Sequence, residues 1–139
     1  MADIRFDTGV KEFNINGAVT VRFSPTDFTF IEKVYSAMES LDKRQDAYRA
    51  EVEKITDEAV FDLARRVDAE AREEINAIFN SDICTPVFGD LSLYAVADGL
   101  PVWANFILAI IDQFEGAFAE EKKKTNPRIA KYTAKYSKK

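Results

Sequence analysis

The chain has 139 residues, of which 47% are hydrophobic and 31% are charged, and this balance excludes disorder of the whole chain. Its net charge of −5 is unevenly distributed along the chain. Residues 122–139 contain eight of the 19 basic residues and none of the 24 acidic residues, so this segment carries +8. Residues 1–121 therefore carry −13. Because histidine is absent, triads with a histidine base, the usual zinc sites and Glu-x-x-His di-iron sites are excluded.

Cys84 is the single cysteine, so an intrachain disulfide is excluded and a buried, inert thiol is expected. The first residues lack the basic start and apolar stretch of a signal peptide, and we therefore expect a cytoplasmic protein.

The acidic body of the protein, residues 1–121, would repel the phosphates of a nucleic acid. We thus interpret the basic segment as a tail that folds back on that body, in preference to a nucleic-acid-binding arm.

Residues 10–23 predict a β-hairpin around an Asn-Gly turn. A three-residue loop pairs Ile15 with Val19 and Phe13 with Val21, and it keeps the apolar side chains on one face. A two-residue loop would place them on opposite faces. Two strands alone are marginally stable in water, so this face must lie on a helix or on the sheet of another chain.

Residues 25–41 predict the first helix, with Ser24 as N-cap and Pro25 at the first helical position. Its inward stripe is predicted to contain Phe28, Ile31, Tyr35, Met38 and Leu41. The polar residues 42–46 either turn the chain or continue the helix.

Apolar residues then recur at spacings of three and four from Tyr48 to Ile78, which predicts a second helical segment over residues 46–79. This segment is either one long helix or two helices broken near residues 56–57, where Thr56 or Asp57 could cap a new start. A strict heptad fails at Asp62, so the pattern favours a bundle over a long coiled coil.

Residues 80–90 predict an irregular connection, and residues 91–97 predict one or two helical turns before an Asp98-Gly99 turn. Pro101 fits the first position of a closing helix over residues 101–121. Its apolar face is wider than a surface helix needs, which favours the central core helix of a small domain over a permanently exposed groove. The apolar run breaks at Asp112 and Glu115, so a membrane span is not expected.

The predicted fold class is therefore α+β and mostly α, with an N-terminal β-hairpin followed by three to four helices. Residues 1–121 form one globular domain in this prediction, and residues 122–139 form the basic C-terminal tail.

No group of residues predicts a reaction centre. The carboxylate pairs Asp57 with Asp62 and Glu70 with Glu74 are typical of solvated helix faces, and no calcium-binding loop is present. The five glycines are scattered, so no phosphate-binding loop is predicted. We expect no metal, no cofactor and no enzymatic activity.

Four motifs follow one another in order: FNING at residues 13–17, VTVRFSPTD at residues 19–27, FGD at residues 88–90, and DG at residues 98–99 before the apolar helix. Together they resemble the tail assembly chaperones of long-tailed phages and prophages of Gram-positive bacteria. The resemblance covers about residues 10–121.

The resemblance implies a small non-catalytic protein that coats the long, apolar tape-measure protein until tail-tube subunits replace it. Such a chaperone needs an apolar surface for its client and self-association along the client. The residues expected to bind the client are Trp103, Phe106, Ile107, Ile110 and Phe114. The residues expected to support self-association are Phe13, Ile15, Val19 and Val21.

Two other classes remain open. A nucleic-acid-binding accessory protein would act through residues 122–139, with Tyr132 and Tyr136 stacking on bases. A structural virion component, such as a head-tail connector or tail-terminator subunit, would use the hairpin to extend a neighbouring sheet.

Overall fold

The computed structural model describes residues 1–124, and residues 125–139 lie outside the described part. The fold is α+β and mostly α, with an N-terminal antiparallel hairpin followed by four helices, which confirms the predicted class. The elements are β1 (Lys11–Ile15), β2 (Val19–Phe23), α1 (Phe28–Val52), α2 (Asp57–Phe79), α3 (Cys84–Phe88), β3 (Val96–Ala97), β4 (Leu100–Pro101) and α4 (Val102–Lys123).

The first hairpin has the predicted three-residue loop, because Ile15 pairs with Val19 and Phe13 pairs with Val21. Asn16 and Gly17 have φ values of 51° and 73°, a conformation that asparagine and glycine tolerate better than other residues. The apolar face of the hairpin packs on the helices of its own chain. The Phe23 ring stacks on the Phe30 ring of α1, with ring centroids 4.4 Å apart.

Helix α1 begins later and ends later than predicted. Its N-cap is Asp27, whose carboxylate accepts a hydrogen bond from the Thr29 backbone at 3.0 Å. Ser24 instead lies in a buried turn before the helix, where its carbonyl accepts from the Asp27 backbone N–H at 3.1 Å. Residues 42–46 continue the helix, since they contain no glycine or proline to break it and Arg44 bonds to α2.

The predicted inward stripe of α1 was right at Leu41, partly right at Ile31 and Met38, which are half-buried against the core, and wrong at Phe28 and Tyr35. Phe28 is 75% exposed and Tyr35 is 45% exposed. The buried residues form the adjacent stripe: Phe30, Val34, Ala37, Leu41 and Gln45. Both stripes are apolar and have helical spacing, so the choice between them depends on where the neighbouring helices pack.

The predicted segment 46–79 is divided between two helices, because α1 ends at Val52 and α2 begins at Asp57 after the Thr56 N-cap. The segment is therefore two helices, and the break lies near residues 56–57, where the sequence allowed one. Helix α2 buries the predicted stripe from Leu63 onwards, namely Leu63, Val67, Ala71, Ile75 and Ile78, whereas Ala59 at the same spacing is exposed. Arg44 of α1 joins the two helices through bonds of 2.7 Å to Glu74 and 2.8 Å to Glu70.

The connection between α2 and α4 is more regular than predicted. Helix α3 lies where an irregular segment was expected, and β3 and β4 form a second small hairpin where helical turns were expected at residues 91–97. Asp98 and Gly99 form its turn, with φ values of 55° and 78°. Pro101 is the N-cap of α4 and not its first helical residue.

Helix α4 extends to Lys123, so it includes the first two lysines of the predicted tail; residues 125–139 of that tail lie outside the described residues. Among residues 1–124, α4 is the one helix long and apolar enough to cross a membrane by length and composition. The core helix of a soluble protein meets the same test, and α4 buries six side chains in the core: Trp103, Phe106, Ile107, Ile110, Phe114 and Ala117.

Candidate partner-binding groove

The five residues predicted to bind a partner do not form an exposed surface. Their exposed fractions are 4% for Trp103, 8% for Phe106, 0% for Ile107, 6% for Ile110 and 5% for Phe114. They belong to one hydrophobic core with the hairpin and with α1 and α2. This burial agrees with the preferred interpretation of α4 as the central core helix, because the hairpin and the two other long helices cover its apolar face.

Helices α1 and α4 are antiparallel neighbours. The Phe28 ring lies 5.8 Å from the Phe118 ring, near the start of α1 and the end of α4. At the other end, Trp103 Nε1 donates a hydrogen bond of 2.8 Å to Gln45 Oε1. The two helices therefore run side by side over most of the length of α4.

A groove of about 510 Å³ lies between these two helices. Tyr35 and Leu108 form its exposed walls, at 45% and 41% exposure, while the buried Trp103 and Ile107 reach it from below. Its full lining is Tyr35, Met38, Glu39, Asp42, Trp103, Ala104, Ile107 and Leu108. Two of the five predicted partner-binding residues thus contribute to the groove, but as its floor and not as an exposed face.

The rim of the groove is acidic on the α1 side. Glu39 and Asp42 belong to its lining, and both are exposed. Glu39 forms an ion pair of 3.2 Å with Lys43, one helical turn along α1. Because both partners are mostly exposed, this pair contributes little stability and leaves the carboxylate accessible to another cation.

The floor of the groove is fixed by a buried polar pair. Trp103 and Gln45 are 4% and 9% exposed, and the hydrogen bond between them satisfies the indole N–H that burial would otherwise leave without a partner. The backbone N–H of Trp103 donates to the Leu93 carbonyl at 3.0 Å, which also fixes the first turn of α4. The indole ring is therefore held in one position beneath the groove.

A second, smaller cleft of about 330 Å³ lies between the first hairpin and α4. Phe106 and Ile110 line it from α4, and Phe13 and Ile15 line it from β1. Its lining also includes the amide side chains of Asn14, Asn16, Asn105 and Gln113. The lining of this cleft therefore has neutral amide groups where the rim of the groove between α1 and α4 has carboxylates.

The residues predicted to support self-association pack against the chain's own core. Val21 is 6% exposed, and Phe13, Ile15 and Val19 are half-buried against the core residues. Their side chains therefore do not form a free surface. Within residues 1–124, β1 and β2 pair only with each other, so a neighbouring strand could still reach the backbone at the edges of this sheet.

Three ionisable groups of the described residues have shifted pKa values, and each shift follows from burial or from local hydrogen bonds. Burial raises the pKa of the Cys84 thiol to about 12, so the thiol is neutral at physiological pH and is a poor nucleophile. Burial also raises the pKa of the Tyr94 hydroxyl. Hydrogen bonds from the side chain and backbone of Thr85 lower the pKa of Asp82, the residue that helps to begin α3.

Three of the four carboxylates that the sequence grouped in pairs have basic partners. Glu70 and Glu74 both bind Arg44, and Asp62 binds Arg65. In the part of the chain that the structure describes, no three acidic or cysteine side chains converge as a metal site would require.

No protein-family model, curated protein or solved structure matches the chain.

The groove was missed in the sequence because Tyr35 and Met38 were placed in the core and Leu108 was given no role. The width of the apolar face on α4 was the signal: residues 104, 107, 108 and 111 have the spacing of a second face beside the core stripe.

Proposed function

We propose that this protein is a non-catalytic tail assembly chaperone of a phage or prophage, and that it keeps the tape-measure protein soluble in the host cytoplasm during tail assembly. The motifs at residues 13–17, 19–27, 88–90 and 98–99 support this class through their resemblance to such chaperones. The groove between α1 and α4 is the observation that supports the proposal most directly, because it is an apolar binding surface on a protein with a net negative charge.

The shape of the groove suits one face of a client helix. Its lining residues cover about two turns of α1, or ~11 Å along the axis, and about one and a half turns of α4, or ~8 Å, which matches two or three apolar side chains at spacings of three and four. The carboxylates of Glu39 and Asp42 favour a client helix with lysine or arginine beside its apolar stripe. A long client would bind many copies of the chaperone, each covering a short segment.

Self-association along the client is part of the proposal. Since the side chains of Phe13, Ile15, Val19 and Val21 face their own core, neighbouring copies would meet through the strand edges of the first hairpin. This arrangement leaves the groove between α1 and α4 open to the client in every copy.

The test is co-expression of the full chain with a segment of the tape-measure protein of the same phage. The wild-type chain is expected to keep the segment soluble and to co-purify with it. Leu108→Glu and Tyr35→Glu place a carboxylate in the groove wall and are expected to abolish co-purification. Phe61→Glu is the matched control, because Phe61 is an apolar residue of α2 that is 66% exposed and lies outside the groove.

If Leu108→Glu still co-purifies with the segment in the same yield as Phe61→Glu, the proposal is contradicted.

The two other classes of protein predict different outcomes. Presence of the protein in purified virions would favour a structural component, and a salt-sensitive gel shift lost on deletion of residues 122–139 would favour a nucleic-acid-binding protein.

A further inference from the structure

The segment before β1 carries apolar side chains that are exposed to solvent. Ile4 is 89% exposed and Phe6 is 74% exposed, although side chains of these types are usually buried in a folded domain. They alternate with the charged residues Asp3, Arg5 and Asp7, which is the pattern of a strand with one apolar and one charged face. The segment belongs to no strand in the structure, so its backbone can still pair with the edge of a sheet.

The cleft between the first hairpin and α4 opens at the outer edge of β1. Its lining includes the four consecutive residues 13–16 from β1 and its turn, but only Phe23 from β2. In the part of the chain that the structure describes, β1 pairs only with β2, so its outer edge has unpaired backbone groups. A strand added at this edge would place alternate side chains on the face of Phe13 and Ile15, next to Phe106 of α4.

The cleft has the groups that an added strand with two apolar side chains requires. Phe106 and Ile110 provide an apolar floor. An extended backbone also needs donors and acceptors of hydrogen bonds, and amide side chains supply both. The lining contains four such side chains: Asn14, Asn16, Asn105 and Gln113.

The length and charge of the segment agree with pairing at this edge. Residues 3–7 match the five residues of β1 in number. When Ile4 and Phe6 face the cleft, alternation places Arg5 on the opposite face of the sheet. The exposed Glu12 of β1 lies on that face, and opposite charges on neighbouring strands stabilise their pairing.

The segment does not fill the cleft of its own chain, since its apolar side chains remain exposed. A Cβ atom at Gly9 would lie 3.1 Å from Ser24 Oγ. The backbone at Gly9 therefore still follows the end of β2 and does not turn back toward the outer edge of β1. The segment of a second copy is not held in this way and can approach that edge directly.

We propose that residues 3–7 of one copy add as a strand to the outer edge of β1 in a second copy, with Ile4 and Phe6 in the cleft between its first hairpin and α4. One short strand gives a weak contact, so association is strongest where copies are held at high local concentration. The consequence, that copies bound side by side on a long client join into a row, rests on the proposed function.

The test is photo-crosslinking in the full-length protein without any client. A photoreactive phenylalanine analogue replaces Phe6, and this chain is mixed with a ¹⁵N-labelled chain that carries no probe. Mass spectrometry then distinguishes crosslinks between copies from crosslinks within one copy. We expect crosslinks to the labelled chain at the residues of the cleft, namely residues 13–16, 87–88 and 105–113.

Ala109→Glu in the labelled chain tests the cleft itself. Ala109 is an exposed residue of α4 in the lining, so the change leaves the core intact and places a carboxylate where the apolar side chains would bind. We expect the yield of crosslinks between copies to fall ~tenfold or more. Ala119→Glu is the matched control, because Ala119 is an exposed alanine of the same helix outside the cleft, and it should keep the yield.

Equal yields with Ala109→Glu and Ala119→Glu would overturn the inference. Crosslinks within one copy alone would also overturn it, because the segment would then cover the cleft of its own chain. Crosslinks between copies at other surfaces, or no crosslinks between copies, would have the same meaning. The assay contains no client and leaves Leu108 unchanged, so its failure is distinct from failure of the co-purification test above.

Discussion

At the scale of single residues, the hydrogen bond between Trp103 and Gln45 links the core to the groove. A glutamine is rarely buried without a partner, and here its side-chain oxygen accepts from the indole at 2.8 Å. The pair lies where the end of α1 meets the start of α4, so it fixes the position of both helices at one end of the groove.

Replacing Gln45 with leucine should destabilise the protein, although leucine is more apolar. The change keeps a similar volume but leaves the buried indole N–H without an acceptor, which costs ~1–3 kcal/mol in the free energy of unfolding. Urea unfolding measures this loss. Gln113→Leu on the exposed face of α4 is the control and should leave the free energy nearly unchanged. Equal stabilities of the two variants would show that the buried bond contributes nothing.

Cys84 should be unreactive in the folded protein. Its side chain is 1% exposed, and burial raises the pKa of the thiol to about 12, so neither access nor ionisation favours attack on a disulfide reagent. A colorimetric thiol assay at mildly alkaline pH should detect no free thiol in the native protein and one thiol per chain in denaturant. Rapid reaction of the native protein would contradict the buried position.

The same raised pKa predicts a loss of stability at high pH. Below the ordinary thiol pKa of 9.0, Cys84 is neutral in both the folded and the unfolded chain, so its contribution is fully present. Between pH 9.0 and about 12 the unfolded chain ionises first, and the free energy of unfolding falls as pH rises. Cys84→Val should show a shallower fall in alkaline urea titrations, with the remaining slope including Tyr94, whose pKa burial also raises.

At the scale of elements, two charged residues of α2 hold the connection that leads into α4. Asp68 accepts from the Leu93 backbone N–H at 2.7 Å and binds Arg72 at 3.0 Å. Arg72 in turn donates to the carbonyls of Gly89 and Leu91, each at 2.7 Å. Leu93 is fully buried, so this network replaces the water that its backbone loses on folding.

Asp68→Ala should therefore weaken the whole fold and not only the ion pair. It removes the acceptor of a buried backbone N–H and the partner of a half-buried guanidinium, and we expect a loss of ~2–3 kcal/mol in thermal or urea unfolding. Asp62→Ala is the matched control on the same helix, since its ion pair with Arg65 is mostly exposed and should contribute almost nothing. Similar losses in the two variants would contradict the role of the network.

The sequence predicted the elements in which only one arrangement of the chain places the apolar side chains on a single face. The first hairpin register followed from keeping Phe13, Ile15, Val19 and Val21 on one face, and the stripe of α2 followed from its single line of apolar residues. The inward face of α1 could not be chosen, because two adjacent stripes are apolar and only packing decides between them. The two-residue strands β3 and β4 are too short to produce a periodic signal.

At the scale of the whole molecule, the candidate site depends on how two distant segments meet. Met38 and Leu108 are 70 residues apart in the chain, so their common groove is a product of the antiparallel contact between α1 and α4. The sequence predicted the apolar helix and the acidic body, but it placed the binding surface on the face of α4 that the fold buries. The groove that we propose as the binding surface lies beside that face.

The most direct test of whether the client binds in the groove uses the indole N–H resonance of Trp103, the only tryptophan in the chain. The ¹H–¹⁵N spectrum of the full-length protein therefore contains one indole resonance, from a ring on the groove floor. On titration with a soluble tape-measure segment, we predict that this resonance and the Leu108 amide shift while the Phe61 amide stays in place. Binding that moves other amides but leaves the Trp103 and Leu108 signals unchanged would contradict the account.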